Sequence, residues 1–442
     1  MSARGETIYA FATPPGVSGV AVLRISGKMA TQALLAFGIH TPPAPRVATL
    51  VGLKNGATSE PLDQALLLSF PAPHSFTGED VIELHLHGSR AVRQAVLQVL
   101  SRIEGLRPAE AGEFARRAFL NGKMDALQAE GLADLLAADS KTQLQQAWRQ
   151  YRGDASATIE ALRSDILRPL ALLEAYLDFP EEDIPEQVLS EVAHKISELR
   201  VKLQKLGEDS GVGEKIREGL EIVILGPPNA GKSSFLNALA GREAAIVSAQ
   251  AGTTRDFVEI QLEINGFLVT FVDTAGLRAT ENEIEEIGIE RAKKRAEKAD
   301  VRILLFDIDT NPKQYADILA LANKDAVIFY TKADQGQSAL SSPEGIAISS
   351  ITGFGIEAAL VLIGEKITQK MGSYESPLIT RARHRRHLDN AASALARFSL
   401  DLPLELACEE LRVAATSIGN FTGKIHNDEL LDIIFREFCI GK

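Results

Sequence analysis

The stretch "GPPNAGKSS", Gly226 to Ser234, decides the fold. It satisfies GxxxxGK[ST] through Gly226, Gly231, Lys232 and Ser233, directly after the apolar run "EIVIL" and before the helix-like "FLNALAG". A strand, a glycine-rich turn and a helix in that order form a phosphate loop. Backbone N–H groups wrap the phosphates, the lysine reaches the β/γ oxygens, and the Ser233 hydroxyl offers a ligand to magnesium. A chance glycine-rich turn would have no reason to lie between a strand and a helix. Expected nucleotide contacts here are Asn229, Ala230, Gly231, Lys232, Ser233 and Ser234.

Outward from this loop, the runs "FLVTFVD", "VRILLFDI", "AVIFYTKAD" and "GIAISS" alternate with helical stretches. That pattern predicts a mostly parallel sheet with helices on both faces, a Ras-like P-loop domain. Further elements follow in the order a GTP hydrolase requires. Thr253 and Thr254 of "GTTRD" supply hydroxyls for a switch that senses the γ-phosphate, with Thr254 the better second magnesium ligand. In "DTAG", Asp273 would hold a magnesium-bound water and the Gly276 N–H would meet the γ-phosphate, with Thr274 and Ala275 between them. In "TKAD", Thr331 to Asp334, the carboxylate of Asp334 can accept from the N1–H and N2 amino donors of guanine, which adenine lacks. Thr331 stands where such motifs usually carry Asn, so binding is expected to be somewhat weaker without loss of specificity; Lys332 and Ala333 complete the motif. Ser349, Ser350 and Ile351 would offer backbone N–H groups to the base. The residue after "DTAG" is Leu277, where a Gln often orients the attacking water. An aliphatic side chain can neither accept a proton nor hold a water, so the catalytic group lies elsewhere or nothing is hydrolysed.

The whole chain of 442 residues exceeds one ordinary hydrophobic core, which points to two or three domains. Residues 1–120 mix short strands with one helix, an α+β domain. Residues 121–213 and 376–442 carry apolar positions at helical spacing, which makes them two parts of one all-α domain with the GTPase unit, 214–375, inserted between. The acidic "FPEEDIPEQ" breaks the helical pattern and "GEDSGVGEKIREG" reads as a linker. An excess of 59 acidic over 47 basic residues, net charge −12, opposes non-specific attraction to nucleic acid or anionic lipid. No apolar h-region and no run long enough to cross a bilayer are visible, so a cytoplasmic location without membrane contact is expected. Cys408 and Cys439 suggest neither a disulfide framework nor a zinc site.

"GPPNAGKSSFLNALAGREAAIVS", "AGTTRD", "DTAGLR" and "EIEEIGIERA" closely resemble the GTPase domain of the tRNA modification GTPases of the MnmE (TrmE) family. The resemblance extends to "ATPPGVSGVAVLRISG", "SFTGEDVIEL", "GEFARRAFLNGKMDALQAE" and "FREFCIGK", and so covers the whole chain. It implies a homodimeric GTP hydrolase that works with the FAD-dependent protein MnmG (GidA) in a heterotetramer. That pair installs an aminomethyl-type or carboxymethylaminomethyl group at C5 of the wobble uridine of certain tRNAs. It implies potassium beside magnesium, held by Asn229, Ser248, Gln250 and Thr253, in a loop whose Ala249, Ala251 and Gly252 also meet the nucleotide and which becomes ordered when two GTPase domains meet. Glu285 would orient the water indirectly, although an acidic-then-basic helix face explains the same residues without a catalytic role. A tetrahydrofolate carrying the carbon in 5,10-methylene or 5-formyl form would meet Arg24, Glu83, Lys123 and the terminal Lys442. A carboxylate suits the pterin amino edge and cations suit the glutamate tail.

Other features carry plainer readings. Strand alternation puts Glu83, His85 and His87 on one face and Ile82, Leu84 and Leu86 on the other; residues of a single strand seldom close a tetrahedral metal site. The basic run "RARHRRHLDN" could contact RNA phosphates, but it reads better as a solvated helix start facing "FPEEDIPEQ". Trp148 is expected in a helix core and Cys439 as a buried thiol. Two rival functions stay open at this level. A ribosome-assembly GTPase would share the motifs and co-purify with rRNA particles; a scaffold holding GTP structurally would show no turnover under any cation.

Overall fold

The computed structural model describes residues 5–178, 185–241, 245–246, 259–273, 294–335, 345–372 and 379–423, together with 434, 435, 438 and 441. They fall into two units, one of Met1–Ala133, Gln150–Arg163 and Ile418–Lys442, the other of Asp134–Arg149 and Ser164–Ser417.

The first unit is built on β1 (Thr7–Phe11), β2 (Ser18–Ser26), β3 (Thr49–Lys54), β4 (Pro61–Phe70), β5 (Val81–Gly88) and β6 (Leu106–Pro108). These form one sheet in the order β3-β4-β5-β2-β1-β6, antiparallel except for β1 beside β6. Period-two alternation sends Leu23, Ile25, Leu67, Ile82 and Leu84 to one face. There they pack with Leu34 and Phe37 of a short turn and with Val96 and Leu100 of α1 (Arg90–Leu100). Ser89 starts that helix by accepting the Val92 N–H at 3.1 Å, the bond an N-cap serine makes. On the opposite face Ile8 and Ala10 of β1 meet Ala109 and, from α2 (Glu113–Leu120), Phe114, with Phe76 packed against them, and Ser26 and Val81 are buried beside them. Toward β3 the same face is open, and Leu50 and Leu66, paired across β3 and β4, are exposed. Beneath α2 the guanidinium of Arg107 donates to Glu6 and Glu113, and that of Arg117 to Glu113 and Glu79.

Three helices, α3 (Ala126–Ala137), α4 (Lys141–Arg152) and α5 (Asp154–Asp178), follow where the apolar spacing predicts them. Trp148 does not join a core: it is about half exposed. The buried stripe of α4 is taken by Gln143 and Gln146, whose amides donate to the backbone carbonyls of Arg217 and Gly213, and Trp148 falls off that stripe.

The second unit contains α6 (Glu186–Glu218) and then a seven-stranded sheet. Its strands are β7 (Leu220–Leu225), β8 (Ala245–Ile246), β9 (Glu259–Ile264), β10 (Phe267–Asp273), β11 (Val301–Asp307), β12 (Ala326–Thr331) and β13 (Ile346–Ala347). In the order β13-β12-β11-β7-β10-β9-β8 every neighbour from β13 to β10 is parallel, and β9 and β8 add antiparallel. A mostly parallel sheet must be covered on both faces. On one face Ile222, Ile224, Phe271 and Phe329 pack with Phe235 of α7 (Lys232–Ala240) and Ile363 of α8 (Ile356–Met371). On the other, Val223 and Leu225 meet Ala296 and Ala299, and Phe306 and Tyr330 meet Tyr315 and Ile318.

The stretch 207–219, expected as a linker, is instead the last part of α6 up to Glu218 and its C-cap Gly219. Ser210, Gly213 and Ile216 are buried at helical spacing, Ile216 enters the sheet core, and Lys215 pairs with Asp300. Packing outweighs the low helix propensity of the glycines. The basic run is also not a solvated start. In α9 (Ala382–Arg397) His384 and Leu388 are buried, Arg381 donates to Asp134 at 2.9 Å, and Arg385 donates to Glu214 at 2.8 Å and to Ser210 Oγ at 3.1 Å. Residues 179–184 of the acidic segment lie outside the described residues. Cys408 is buried in α10 (Leu404–Gly419), and burial pushes its thiol up. Among the described residues no helix is long and apolar enough to cross a membrane.

Candidate functional site

At the C-terminal end of β7 the chain turns through a loop that few residue types can follow. A Cβ on Gly226 would lie 2.3 Å from the Leu305 carbonyl oxygen, and Asn229 and Gly231 adopt φ of 62° and 84°. Glycine takes such left-handed geometry freely, and asparagine more readily than most residues. The loop closes on Lys232, whose Nζ donates to the carbonyls of Gly226 at 2.8 Å and Pro227 at 2.9 Å. Burial lowers the pKa of this ammonium while the charge of Asp273 opposes the shift. The next residue, Ser233, donates from Oγ to Asp273 Oδ2 at 2.9 Å. Asp273 ends β10, in parallel register with Ile224 of β7, so neighbouring strand ends bring hydroxyl and carboxylate together. Two hard oxygen donors at the start of a helix suit magnesium.

The residues expected to read the base come from the next strands. Thr331 ends β12 and is buried; its Oγ1 donates to the Ala230 carbonyl at 2.8 Å, with the Phe306 carbonyl at 3.2 Å. The hydroxyl thereby ties the guanine motif to the phosphate loop. Lys332, at φ 59°, pairs with Asp307 at 2.5 Å. Burial raises the Asp307 carboxyl, but the Lys332 ammonium and the Asp309 N–H outweigh it and hold the pKa below the usual value. Asp334 Oδ1 accepts from Ser349 Oγ at 2.5 Å, and the same oxygen of Ser349 accepts the N–H groups of Ile351 and Thr352 at 3.3 and 3.2 Å. Ser349 therefore fixes both the carboxylate and the following loop, from which Ile351 projects exposed. The roles of Thr331 toward Ala230, and of Asp307 toward Lys332, were not anticipated from the sequence. The only local signal for Asp307 is an acidic residue at the end of a buried apolar run.

Asn229, Ala230, Gly231, Lys232, Ser233, Ser234, Asp273, Thr331, Lys332, Ala333, Asp334, Ser349, Ser350 and Ile351 are all described. Outside the described residues lie Ser248 through Thr254, Thr274, Ala275, Gly276, Leu277, Glu285, Cys439 and Lys442.

On the N-terminal sheet, Arg24 Nε and Nη2 both meet Glu83 Oε1, at 2.9 and 2.8 Å, and the guanidinium lies over the rings of Phe76 and Phe114. Its charge is thus answered by Glu83. Cross-strand pairing at Arg24↔Glu83 brings the two side chains together. Lys123 Nζ donates to the Pro73 carbonyl at 3.0 Å. His87 pairs with Asp63 at 2.7 Å, and among the described residues no group of three or more side chains could hold a metal ion.

Two family models match the chain: GTP-binding protein TrmE N-terminus over residues 7–123 and MnmE helical domain over residues 127–439. The tRNA modification GTPase MnmE of Parvibaculum lavamentivorans is 46% identical over 442 residues, covering 99% of this chain and 100% of that protein. Its counterpart in Paramagnetospirillum magneticum is 45% identical over 441 residues, with the same coverage of 99% and 100%. Among solved structures, the G domain of the T. maritima FeoB iron transporter is 25% identical over 34% of this chain and 99% of that one, with a TM-score of 0.27. With a family model over more than half of its length and full-length relatives this similar, the chain belongs to the MnmE family of tRNA modification GTPases.

Proposed function

We propose that this GTP-hydrolysing tRNA modification enzyme acts as a homodimer with the FAD-dependent protein MnmG (GidA), and that together they build an aminomethyl-type group at C5 of the wobble uridine. Hydrolysis is potassium-dependent and requires two GTPase domains to pair. The observation that carries this reading is a complete phosphate loop, with Lys232 and the Ser233–Asp273 pair in place, followed after "DTAG" by Leu277, which has no polar group. A polar loop residue in left-handed geometry, Asn229, offers an amide oxygen where a monovalent cation would neutralise phosphate charge.

In this scheme the loop N–H groups cradle the phosphates, and Lys232 exchanges the Gly226 and Pro227 carbonyls for β/γ oxygens. Ser233, Asp273 and Thr254 would hold magnesium, and Asn229, Ser248, Gln250 and Thr253 would hold potassium. When bound, the two cations supply the positive charge that an arginine finger supplies elsewhere. Asp334, fixed by Ser349, accepts from the guanine edge. Glu285 orients the attacking water. In the N-terminal unit Glu83 accepts from the amino edge of a reduced pterin, Arg24 holds Glu83, and Lys123 and Lys442 face the glutamate tail. The folate supplies the carbon when bound, the partner's flavin the redox step, and GTP turnover drives a conformational cycle rather than the carbon chemistry. GTP turnover in matched potassium and sodium salts tests the core of this reading. Fast turnover in potassium, slow in sodium, and loss of the difference in Asn229→Ala with nucleotide binding retained are expected; equal wild-type rates in both salts refute it.

A further inference from the structure

We infer that His85 is a positioning residue that makes ligand binding at Glu83 depend on pH, because its ring and the ligand compete for the same carboxylate oxygen. This rests on the folate reading above. Both Arg24 donors meet Glu83 Oε1, which leaves Oε2 as the oxygen available to a ligand. His85 Nε2 lies 3.6 Å from Oε2, shut off from solvent and without a hydrogen-bond partner among the described residues. At 3.6 Å the neutral ring makes no hydrogen bond to that oxygen. The imidazolium, in contrast, gains a charge partner, and with a small movement it takes Oε2 as a hydrogen-bond acceptor.

The position of the pair gives the contact its consequence. Arg24 lies at the margin where Phe76 and Phe114 stop covering the sheet. Beyond it the face opens over Val22, Leu66 and Leu68, which stand opposite His85 and Glu83 in register. This is an apolar shelf with one carboxylate oxygen at its edge, suited to a flat heterocycle that presents N–H donors. Glu83 and His87 share the strand of His85, and His87 is engaged by Asp63 of β4. Arg24 of β2 is engaged by Glu83. From α2 and the loop before β5, Glu113, Arg117 and Glu79 are engaged with one another and with Arg107. Histidine changes charge between about pH 5 and 8. A charged ring at 3.6 Å competes with the ligand for Oε2, whereas a neutral ring leaves that oxygen to it.

The test is calorimetric titration of the full-length protein with 5-formyl-tetrahydrofolate at pH 5.5, 6.5 and 8. Wild type should bind about tenfold more weakly at the lowest pH than at the highest, the size expected for competition by one adjacent charge. His85→Gln should bind with nearly the same affinity at all three, and GDP binding to the same sample reports that it is folded; His85→Asn serves if it is not. A flat wild-type profile, or a slope kept in both variants, overturns the role of His85 and leaves the folate reading standing. No wild-type binding at any pH overturns both.

Discussion

Replacing Thr331 by Val removes one hydroxyl and almost nothing else. The side chain is 2% exposed and its Oγ1 donates to the Ala230 carbonyl at 2.8 Å, so the isosteric methyl leaves the packing intact and deprives a phosphate-loop carbonyl of its donor. Loss of one buried hydrogen bond of this kind costs roughly 1–2 kcal/mol. Ala230 immediately precedes Gly231 and Lys232, so the cost falls on the loop geometry that the phosphates require, and nucleotide affinity should fall roughly 5–30-fold. Base choice should not move, because Asp334 and Ser349 make no use of the Thr331 hydroxyl. The assay is equilibrium titration of full-length protein with GDP and ADP at fixed magnesium. Thr331→Ser, which keeps the donor, should bind GDP nearly as wild type. If Thr331→Val binds GDP as tightly as wild type, or if its guanine preference shifts, the hydroxyl does not couple the two ends of the site.

Three further outcomes are expected. Asp334→Asn should weaken GTP and admit XTP, since an amide can donate to the xanthine carbonyl; an unchanged preference in a competition titration would remove Asp334 from base reading. Glu83→Ala should weaken 5-formyl-tetrahydrofolate by roughly 1–3 kcal/mol in calorimetry, the cost of leaving pterin donors unpaired; equal binding would exclude Glu83 from the site. Burial raises the Glu113 carboxyl, but bonds from Arg107, the Glu110 N–H and Arg117 outweigh it and the folded pKa is lowered. Its stabilisation is therefore present above the unfolded value of about 4.3 and is lost as pH falls through the lower folded value. Urea unfolding of Glu113→Gln should accordingly show a weaker acid dependence than wild type, and identical dependence would refute the assignment.

The nucleotide site was legible in the sequence because its parts are local. "GPPNAGKSS" carries its own geometry, and the alternation of strands and helices from Leu220 onward predicts the sheet on which the loop sits. What escaped depends on contacts between distant residues. Thr331 looks like a weak substitute for Asn until β11, β12 and the phosphate loop bring Phe306 and Ala230 within reach of its hydroxyl. Arg24 and Glu83 stand 59 residues apart, and only strand pairing brings them into one ion pair. The glycines of 207–219 signal a break, yet burial at Ser210, Gly213 and Ile216 keeps the helix intact. Trp148 reads as core because size and apolarity suggest burial, whereas the stripe of α4 is sealed by glutamine amides.

That intact helix has a mechanical consequence. Its 33 residues make a shaft about 50 Å long at 1.5 Å per residue, ending one residue before the first strand of the nucleotide-binding sheet. Ile216 is embedded in the sheet core, and along the shaft Arg385 grips Glu214 while Arg200 grips the Leu395 carbonyl. A rod seated in the sheet core, held along its length and free of breaks has no hinge at its root. A tilt of about 5° at the sheet would displace its far end by about 4 Å, so a small rotation at the root is a large movement at the tip.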